Sequence, residues 1–139
     1  MLTEINRFRA LHGADPVTLD PTISAYSQKW ADNCVFEYSP SPREYGESIG
    51  QVLPEDIVDG IIRWEKEGEN YDYSQNTFDP MTADFTQLVW KATKRIGVGL
   101  GTCAGKPGFD GTDLLVVNFD PPGNYSEEFI ENVGKPNSA

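Results

Sequence analysis

Residues 114–125, with the sequence LLVVNFDPPGNY, are the stretch of this chain that decides its fold class. The first six residues are almost continuously apolar, a pattern typical of a β-strand that is covered on both faces. The polar letters DPPGNY then end the strand. The stretch therefore predicts a buried strand with other elements packed against it from two sides.

The preceding segment predicts a second strand. Residues 96–102, IGVGLGT, place Ile96, Val98 and Leu100 on one face and three glycines on the other. A strand face made of glycine allows another element to approach its backbone closely. A glycine-rich, polar turn joins the two segments, so we expect the strands to pair with each other.

Four helices are predicted upstream of these strands. The first runs through residues 2–12, and the second begins with Asp20 as its cap and Pro21 in its first turn. The third begins at Pro54, and a short fourth helix covers residues 83–91, ADFTQLVWK. Helices followed by an antiparallel sheet indicate an α+β fold with the helices packed on the sheet.

Length and charge limit the classes of protein. The chain has 139 residues, which suits a single domain over residues 1–139. Its net charge is −11, so it should repel phosphate backbones and anionic membrane surfaces, and nucleic acid is excluded as a partner. No apolar run approaches the roughly 20 residues that a transmembrane helix needs.

The segment EYGESIG, residues 44–50, contains the spacing G-x-S-x-G with Ser48 at its centre. In α/β-hydrolases this spacing marks a nucleophilic serine on a sharp turn between a strand and a helix. The only histidine, His12, precedes the serine, whereas the histidine of those enzymes follows it. We therefore interpret the spacing as accidental, and His12 as a cation in the last turn of its helix.

Three features bear on the cellular location. The two cysteines, Cys34 and Cys103, could form one disulfide or remain two free thiols. The triplet at Asn124 matches the N-glycosylation pattern N-x-[ST], which is a weak indication of secretion. The chain starts inside a helical pattern, so we expect that a preceding targeting segment has been removed.

Five segments, in order along the chain, resemble one known family. They are NRFRALHGADPVTLD, AYSQKWADNC, YGES, DFTQLVW and VVNFDPPGNY. The resemblance is to the CAP superfamily, also called SCP/TAPS, which includes plant pathogenesis-related class 1 proteins and their fungal secreted relatives. It covers nearly the whole chain, and its last two segments are long and specific. It implies a single CAP domain, a three-layer α-β-α sandwich with a small antiparallel sheet.

The family carries two histidines and two glutamates in a central cleft, often with a divalent cation. The glutamates correspond to Glu47 in YGES and to Glu67 in WEKE. The first histidine position holds Tyr38, in FEYS, and the second holds Asp84, in TADFTQ. The resemblance thus implies a degenerate cleft that has kept its acids and lost both imidazoles.

The lost histidines change the expected chemistry of this cleft. Neutral imidazole suits Zn²⁺, whereas carboxylate oxygens suit hard cations. We expect no Zn²⁺ site and no cofactor. The carboxylates could bind Ca²⁺ or Mg²⁺ weakly, or they could be solvated or hydrogen-bonded. If they converge, the pKa of one should rise unless a cation or a hydrogen bond from Tyr38 relieves the repulsion.

The resemblance also addresses the cysteines. The family commonly bridges the end of the second helix to the end of the strand matched by IGVGLGTC, which implies a disulfide between Cys34 and Cys103. A second family disulfide links this strand to its neighbour, and its positions here are Val98 and Val117. Apolar packing should replace that bridge.

The function implied by the resemblance is ligand binding. Some fungal members bind sterols through a mobile aromatic loop, and other members bind fatty acids between helices. In the matching loop, residues 70–81, Tyr71, Tyr73 and Phe78 could form an apolar wall or could instead cover the edge of the core.

We therefore expect a secreted, extracellular, non-enzymatic protein that binds or exports a sterol or fatty acid. The alternative is an interaction module whose acidic face and degenerate cleft engage another protein in host–microbe interaction. Metal-dependent hydrolysis is disfavoured because the histidines of the tetrad are replaced.

Overall fold

The computed structural model of the protein describes residues 1–137, so the predicted domain of residues 1–139 extends two residues beyond the described part. The helices are α1 (Leu2–Leu11), α2 (Pro21–Ala31), α3 (Val58–Lys66), α4 (Ala83–Val89) and α5 (Phe129–Asn132), with a 3-10 turn at Pro80–Thr82. The strands are β1 (Thr18–Leu19), β2 (Gly46–Val52), β3 (Arg95–Gly101) and β4 (Asp113–Asp120). Within residues 1–137, no helix combines the length and apolar character that crossing a membrane requires.

The four strands form one sheet in the order β1-β3-β4-β2. β4 pairs antiparallel with both β3 and β2, whereas the two-residue strand β1 pairs parallel with β3. The sequence predicted β3 and β4 but missed the other two strands. The sheet is thus mixed because of one short parallel pair, and its three longer strands are antiparallel as expected.

β4 is covered on both faces, as its apolar sequence predicted. Leu115 and Val117 belong to a core cluster that includes side chains of α1, α3 and α4. Leu114 and Val116 pack on the opposite face with Ala31, at the end of α2. The protein is therefore a three-layer α-β-α sandwich, with α2 in one outer layer and α1, α3 and α4 in the other.

The glycine face of β3 lies directly against α2. A Cβ atom added at Gly97 would collide with the backbone of Ile23, and one added at Gly99 would collide with the backbone of Ser27 and Gln28. The sequence predicted that another element would approach this strand closely, and that element is α2. The contact depends on the absence of side chains from this face of β3.

The helices begin close to their predicted positions, with one exception. Asp20 caps α2 as expected, because its Oδ1 accepts a hydrogen bond of 3.0 Å from the backbone N–H of Ile23. α3 begins at Val58 rather than at Pro54, since residues 54 and 55 form a turn before the helix.

The interpretation of His12 as a surface cation is wrong. Its side chain is buried, and Nδ1 lies 2.9 Å from the carbonyl oxygen of Gly134. Burial lowers the pKa of His12, so the imidazole is neutral at neutral pH.

A disulfide joins Cys34 to Cys103, which are 69 residues apart in sequence, with 5.5 Å between their Cα atoms. It ties the exit of α2 to the segment that follows β3. Closing a loop of this length contributes about 4 kcal/mol in the chain-entropy model. Val98 and Val117 lie directly opposite each other on β3 and β4, where the resemblance places the second family bridge.

We expect Gly99→Ala to lower the free energy of unfolding by about 3 kcal/mol, because the added methyl group must displace α2. Gly50→Ala is the matched control within the same sheet, since its added Cβ would lie 3.5 Å from Trp64, an ordinary contact distance. Urea unfolding followed by circular dichroism measures both variants. Equal losses of unfolding free energy in the two variants would show that the fold does not depend on the close approach of α2 to the glycine face of β3.

Candidate functional site

A cleft of about 360 Å³ lies where the start of β2, the start of α4 and the segment after β4 meet. Of the four predicted cleft residues, Tyr38, Glu47 and Asp84 line it, and Glu67 contacts the backbone of Asp84. The remaining lining residues are Arg43, Tyr45, Gly46, Phe78, Ala83, Gln87, Pro122, Gly123, Asn124 and Tyr125.

Glu47 is held by three hydrogen bonds. Its carboxylate accepts from the Ser39 backbone N–H at 2.6 Å, from the Ser39 hydroxyl at 2.7 Å and from Asn118 Nδ2 at 2.9 Å. Because the Ser39 hydroxyl donates to Glu47, the Tyr26 hydroxyl 2.7 Å away is the donor to Ser39. Ser27 Oγ extends the network by donating to Asn118 Oδ1 at 2.7 Å. The hydrogen bonds that the Glu47 carboxylate accepts therefore all come from groups of the protein itself that hold the fold together.

Glu67 follows α3 and caps the first turn of α4. Its Oε1 accepts hydrogen bonds from the backbone N–H groups of Asp84 at 3.0 Å and Phe85 at 3.1 Å. Burial, as the larger cause, and the adjacent Asp84 carboxylate together raise the pKa of Glu67 to about 8, against the effect of the two backbone donors. Repulsion alone was the expected cause, but burial contributes more. Glu67 thus keeps its proton near neutral pH.

Tyr38 stands at the mouth of the cleft, in the first histidine position, with about half of its side chain exposed. Its partial burial raises its pKa, as do the carboxylates of Asp84, Glu47 and Glu67. The guanidinium carbon of Arg43 lies 5.5 Å from the centroid of the Tyr38 ring. The phenol is therefore protonated at neutral pH and lies in a negative electrostatic potential.

Asn124 belongs to the wall of the cleft. Its Nδ2 donates to the carbonyl oxygen of Ala83 at 2.9 Å, and its Oδ1 accepts from Thr86 Oγ1 at 2.6 Å. Its backbone φ of 65° lies in the left-handed region, which asparagine tolerates better than most residues. Both polar atoms of the Asn124 side chain are thus engaged in the wall, and glycosylation at this residue stays a prediction.

Arg9 fixes the other end of α4. Its buried guanidinium donates to the carbonyl oxygens of Leu88 at 2.9 Å, Trp90 at 3.0 Å and Thr93 at 3.1 Å. Its Nε donates to the carbonyl oxygen of Asp15 at 2.8 Å. Burial lowers the pKa of Arg9 to about 10, which leaves the group charged at neutral pH. One side chain thus satisfies four backbone acceptors.

Sequence analysis missed several side chains of the cleft. Gln87 accepts from the backbone N–H of Gly123 at 2.9 Å through Oε1, and a Cβ at Gly46 would collide with it. Tyr45 and Tyr125 line the cleft beside it. All of them stand inside or next to the motifs YGES, DFTQLVW and DPPGNY, and membership of a motif was the signal that could have identified them.

The cleft does not fit a divalent metal ion. Throughout residues 1–137, no three His, Cys, Asp or Glu side chains come close enough together to hold one. The Glu47 carboxylate accepts three hydrogen bonds from the protein, and Glu67 is bound to the start of α4. The weak Ca²⁺ or Mg²⁺ site that the sequence allowed thus gains no support from the geometry.

The surroundings of Ser48 do not fit a nucleophilic serine. It lies in the middle of β2, opposite Val117, and its side chain is buried. His12 lies at the end of α1, where its ring packs against Phe8 and Phe85. The G-x-S-x-G spacing therefore falls within a strand and is not a nucleophile elbow.

The three predicted aromatic residues do not form one common wall. Tyr71 is buried in the core, with its ring centroid 5.3 Å from that of Phe85. Tyr73 packs on Tyr71, with 5.0 Å between ring centroids, and lines a second cavity. Phe78 is half-exposed and lines the cleft. Tyr71 covers the core, as the alternative interpretation held, and the other two rings belong to different cavities.

The second cavity, which we call the α1 groove, has a volume of about 290 Å³ and lies between α1, the end of α3 and α4. Burial raises the pKa of Glu65, in its wall, to about 8, and the neighbouring Glu4 adds to the rise. The other lining residues are Phe8, Leu11, His12, Gly68, Glu69, Tyr73, Phe85 and Pro136.

Comparisons with known proteins identify the family of the chain. The cysteine-rich secretory protein family, CAP, matches residues 2–119. The chain is 34% identical over 135 residues to pathogenesis-related protein 1A1 of Solanum lycopersicum, covering 92% of this chain and 71% of that protein. It is 34% identical over 136 residues to protein PRY2 of Saccharomyces cerevisiae, covering 96% of this chain but only 40% of the yeast protein. The chain belongs to the CAP family.

Solved structures show the same fold. Na-ASP-1 superimposes with a TM-score of 0.77 at 19% identity, over 97% of this chain and 41% of that one. NaASP2, in a structure with Zn²⁺, gives a TM-score of 0.73 at 19% identity, over 97% of this chain and 84% of that one. The predicted CAP fold is therefore confirmed.

We expect Glu67→Gln to weaken the dependence of stability on pH. Glu67 binds its proton more tightly in the folded chain than at its ordinary pKa of 4.5, so its contribution to stability is complete below 4.5 and is lost as the pH rises through about 8. The amide can still accept from α4 and donate to Asp84, but it cannot ionise.

Thermal unfolding between about pH 5 and about pH 9 measures this effect. The variant should lose less stability than the parent chain over that interval. Glu55→Gln, at an exposed acid, is the control and should follow the parent. An unchanged dependence of stability on pH in Glu67→Gln would contradict the raised pKa of Glu67.

Arg9→Met should lower the free energy of unfolding by about 3 kcal/mol or more, because it leaves buried carbonyl groups without a donor. Arg7→Met, on the exposed face of the same helix, removes a surface ion pair with Glu4 and should cost about 1 kcal/mol or less. Chemical denaturation compares the two. Similar losses of unfolding free energy in the two variants would show that the hydrogen bonds of Arg9 do not stabilise the end of α4.

Proposed function

We propose that this chain is a non-enzymatic CAP-domain protein that binds a fatty acid or a sterol in the α1 groove. The observation that supports this most directly is the lining of the groove, in which most side chains present apolar surface. Phe8, Phe85 and His12 form a cluster of packed rings in its wall, with centroid distances between 4.7 and 5.9 Å. These packed rings form a rigid base of the groove, and the more exposed side chains of Leu11 and Tyr73 supply contact area for an aliphatic ligand.

The acids of the groove are compatible with an apolar ligand. Because burial raises the pKa of Glu65 to about 8, its carboxyl group is largely uncharged at neutral pH. Removing an uncharged group from water costs much less than removing a carboxylate. The volume of about 290 Å³ lies at the lower end of the range for small-molecule sites, which favours a narrow acyl chain over the fused rings of a sterol.

A binding role also agrees with the chemistry of the cleft. The G-x-S-x-G serine is buried within a strand, the carboxylate of Glu47 is engaged by the fold, and no imidazole lines the cleft. Nucleophilic and metal-assisted hydrolysis both need groups that this arrangement does not supply.

An extracellular location is part of the proposal. Disulfides persist mainly in secreted proteins and oxidising compartments, and the bond between Cys34 and Cys103 fits such a setting.

A second candidate function is the binding of another protein. It is favoured by three exposed apolar side chains in the segment after α2, Val35, Phe36 and Tyr38, on a chain whose net charge is −11. Neighbouring exposed apolar residues of this kind are common at protein interfaces.

Binding of radiolabelled palmitate and cholesterol to the whole chain tests the proposal. We expect saturable binding of palmitate, reduced about tenfold or more in Leu11→Asp, which places a charge in the lining of the groove. Tyr73→Ala should also weaken binding, because it removes one ring from the wall. Leu53→Asp, at an exposed leucine outside the groove, is the matched control.

The outcomes separate the candidates. Loss of lipid binding in Phe78→Ala but not in Leu11→Asp or Tyr73→Ala would place the lipid in the cleft and contradict the groove. If neither lipid binds saturably, the proposed function fails and the protein-binding candidate is favoured.

A further inference from the structure

The cleft at the start of α4 has an aromatic wall that core packing does not explain. Four rings line it: those of Tyr38, Tyr45, Phe78 and Tyr125. Tyr38 is 51% exposed, Phe78 49% and Tyr125 51%. Large aromatic side chains usually stabilise a fold by being buried. These rings therefore line a cavity instead of filling the core.

The same cavity carries negative charge. The carboxyl groups of Glu47 and Asp84 line it, and Glu67 lies next to Asp84. After burial, the carboxylates of Asp84 and Glu47 help most to raise the pKa of Tyr38, so the negative potential reaches the aromatic wall. The net charge of −11 adds to the attraction of cations from solution.

We propose that this cleft binds an organic cation, a substituted ammonium or guanidinium group, between the aromatic rings, with Asp84 as the counter-charge. The faces of aromatic rings attract weakly hydrated cations, and attraction is strongest where water is excluded. Asp84 suits this role better than Glu47, because the Glu47 carboxylate already accepts three hydrogen bonds from the protein. This function is separate from lipid binding, since it uses another cavity.

Arg43 provides an internal example of the same interaction. Its guanidinium carbon lies 5.5 Å from the centroid of the Tyr38 ring, and its Nη1 donates to the carbonyl oxygen of Ser39 at 2.7 Å. The protein thus already places a cation over one ring of the cleft. A ligand must share the cavity with Arg43 or displace it, so Arg43 should weaken the binding of an external cation.

An organic cation fits the cleft better than a metal ion does. A metal needs several oxygen or nitrogen ligands around one point, and no three such acids or imidazoles converge within residues 1–137. A trimethylammonium group instead needs apolar and aromatic contact on several sides with one charge nearby. The four rings and Asp84 supply both.

The test uses choline as the probe and 3,3-dimethylbutan-1-ol, its neutral isostere, as the matched ligand control. Titrations of the whole chain at low, constant ionic strength, followed by NMR shifts of residues lining the cleft, measure both affinities. We expect saturable binding of choline, about tenfold tighter than binding of the alcohol. Absence of saturation by choline, or equal affinity for the two compounds, would overturn the proposal.

Three variants locate the site. Asp84→Asn and Phe78→Ala should each weaken choline binding about fivefold, whereas Arg43→Gln should strengthen it, an outcome that poor folding cannot imitate. Asp56→Asn and Phe36→Ala, at an exposed acid and an exposed ring outside the cleft, are the matched controls. If Arg43→Gln bound choline more weakly than the parent chain, Arg43 and choline would not compete for the same cavity, and the proposed site would be wrong.

A further comparison distinguishes a free small cation from a modified protein side chain as the ligand. A peptide with one trimethyllysine is compared with choline on the parent chain, and tighter binding of the peptide would identify a protein side chain as the ligand. Equal affinity would identify a free small cation. Because the lipid proposal is judged on Leu11→Asp and Tyr73→Ala in the α1 groove, and the choline proposal on Asp84→Asn and Arg43→Gln in the cleft, either function can fail without the other.

Discussion

The structure depends on how the short helix α4 is held at its two ends. A helix of seven residues leaves most of its terminal N–H and C=O groups without partners of its own, so other parts of the chain must satisfy them. Glu67 accepts from the N–H groups of Asp84 and Phe85 at one end. Arg9 donates to the carbonyl groups of Leu88 and Trp90 at the other. The cation at the end of the helix also suits the helix dipole.

Both candidate sites are built on this helix. Asp84 and Gln87 project from α4 to the cleft, and Phe85 contributes to the wall of the α1 groove. Asp84 places a carboxylate beside the partly buried Glu67, and burial together with this neighbour raises the pKa of Glu67 to about 8. The cleft remains acidic and aromatic, which is why its chemistry points to organic cations.

Much of the fold could be predicted from patterns within short segments. The apolar residues 114–119 predicted a strand covered on two faces, and the glycine face of residues 96–102 predicted the close approach of another element. β2 could not be predicted in this way, because its sequence GESIGQV contains two glycines and three polar residues. A Cβ at Gly46 would collide with Gln87, so the reason for that glycine lies in a contact with a distant helix.

The sequence by itself predicted four helices, the strands β3 and β4 and the close approach to the glycine face of β3, since periodicity is a property of neighbouring residues, and its resemblance to the CAP family implied the three layers. Only the tertiary structure decided that burial beside Asp84 raises the pKa of Glu67 and that Tyr73 and Phe78 belong to different cavities. The physical reason is that a pKa and a cavity both depend on burial and on distances between groups that are far apart in the chain. These quantities arise only when the helices pack on the sheet.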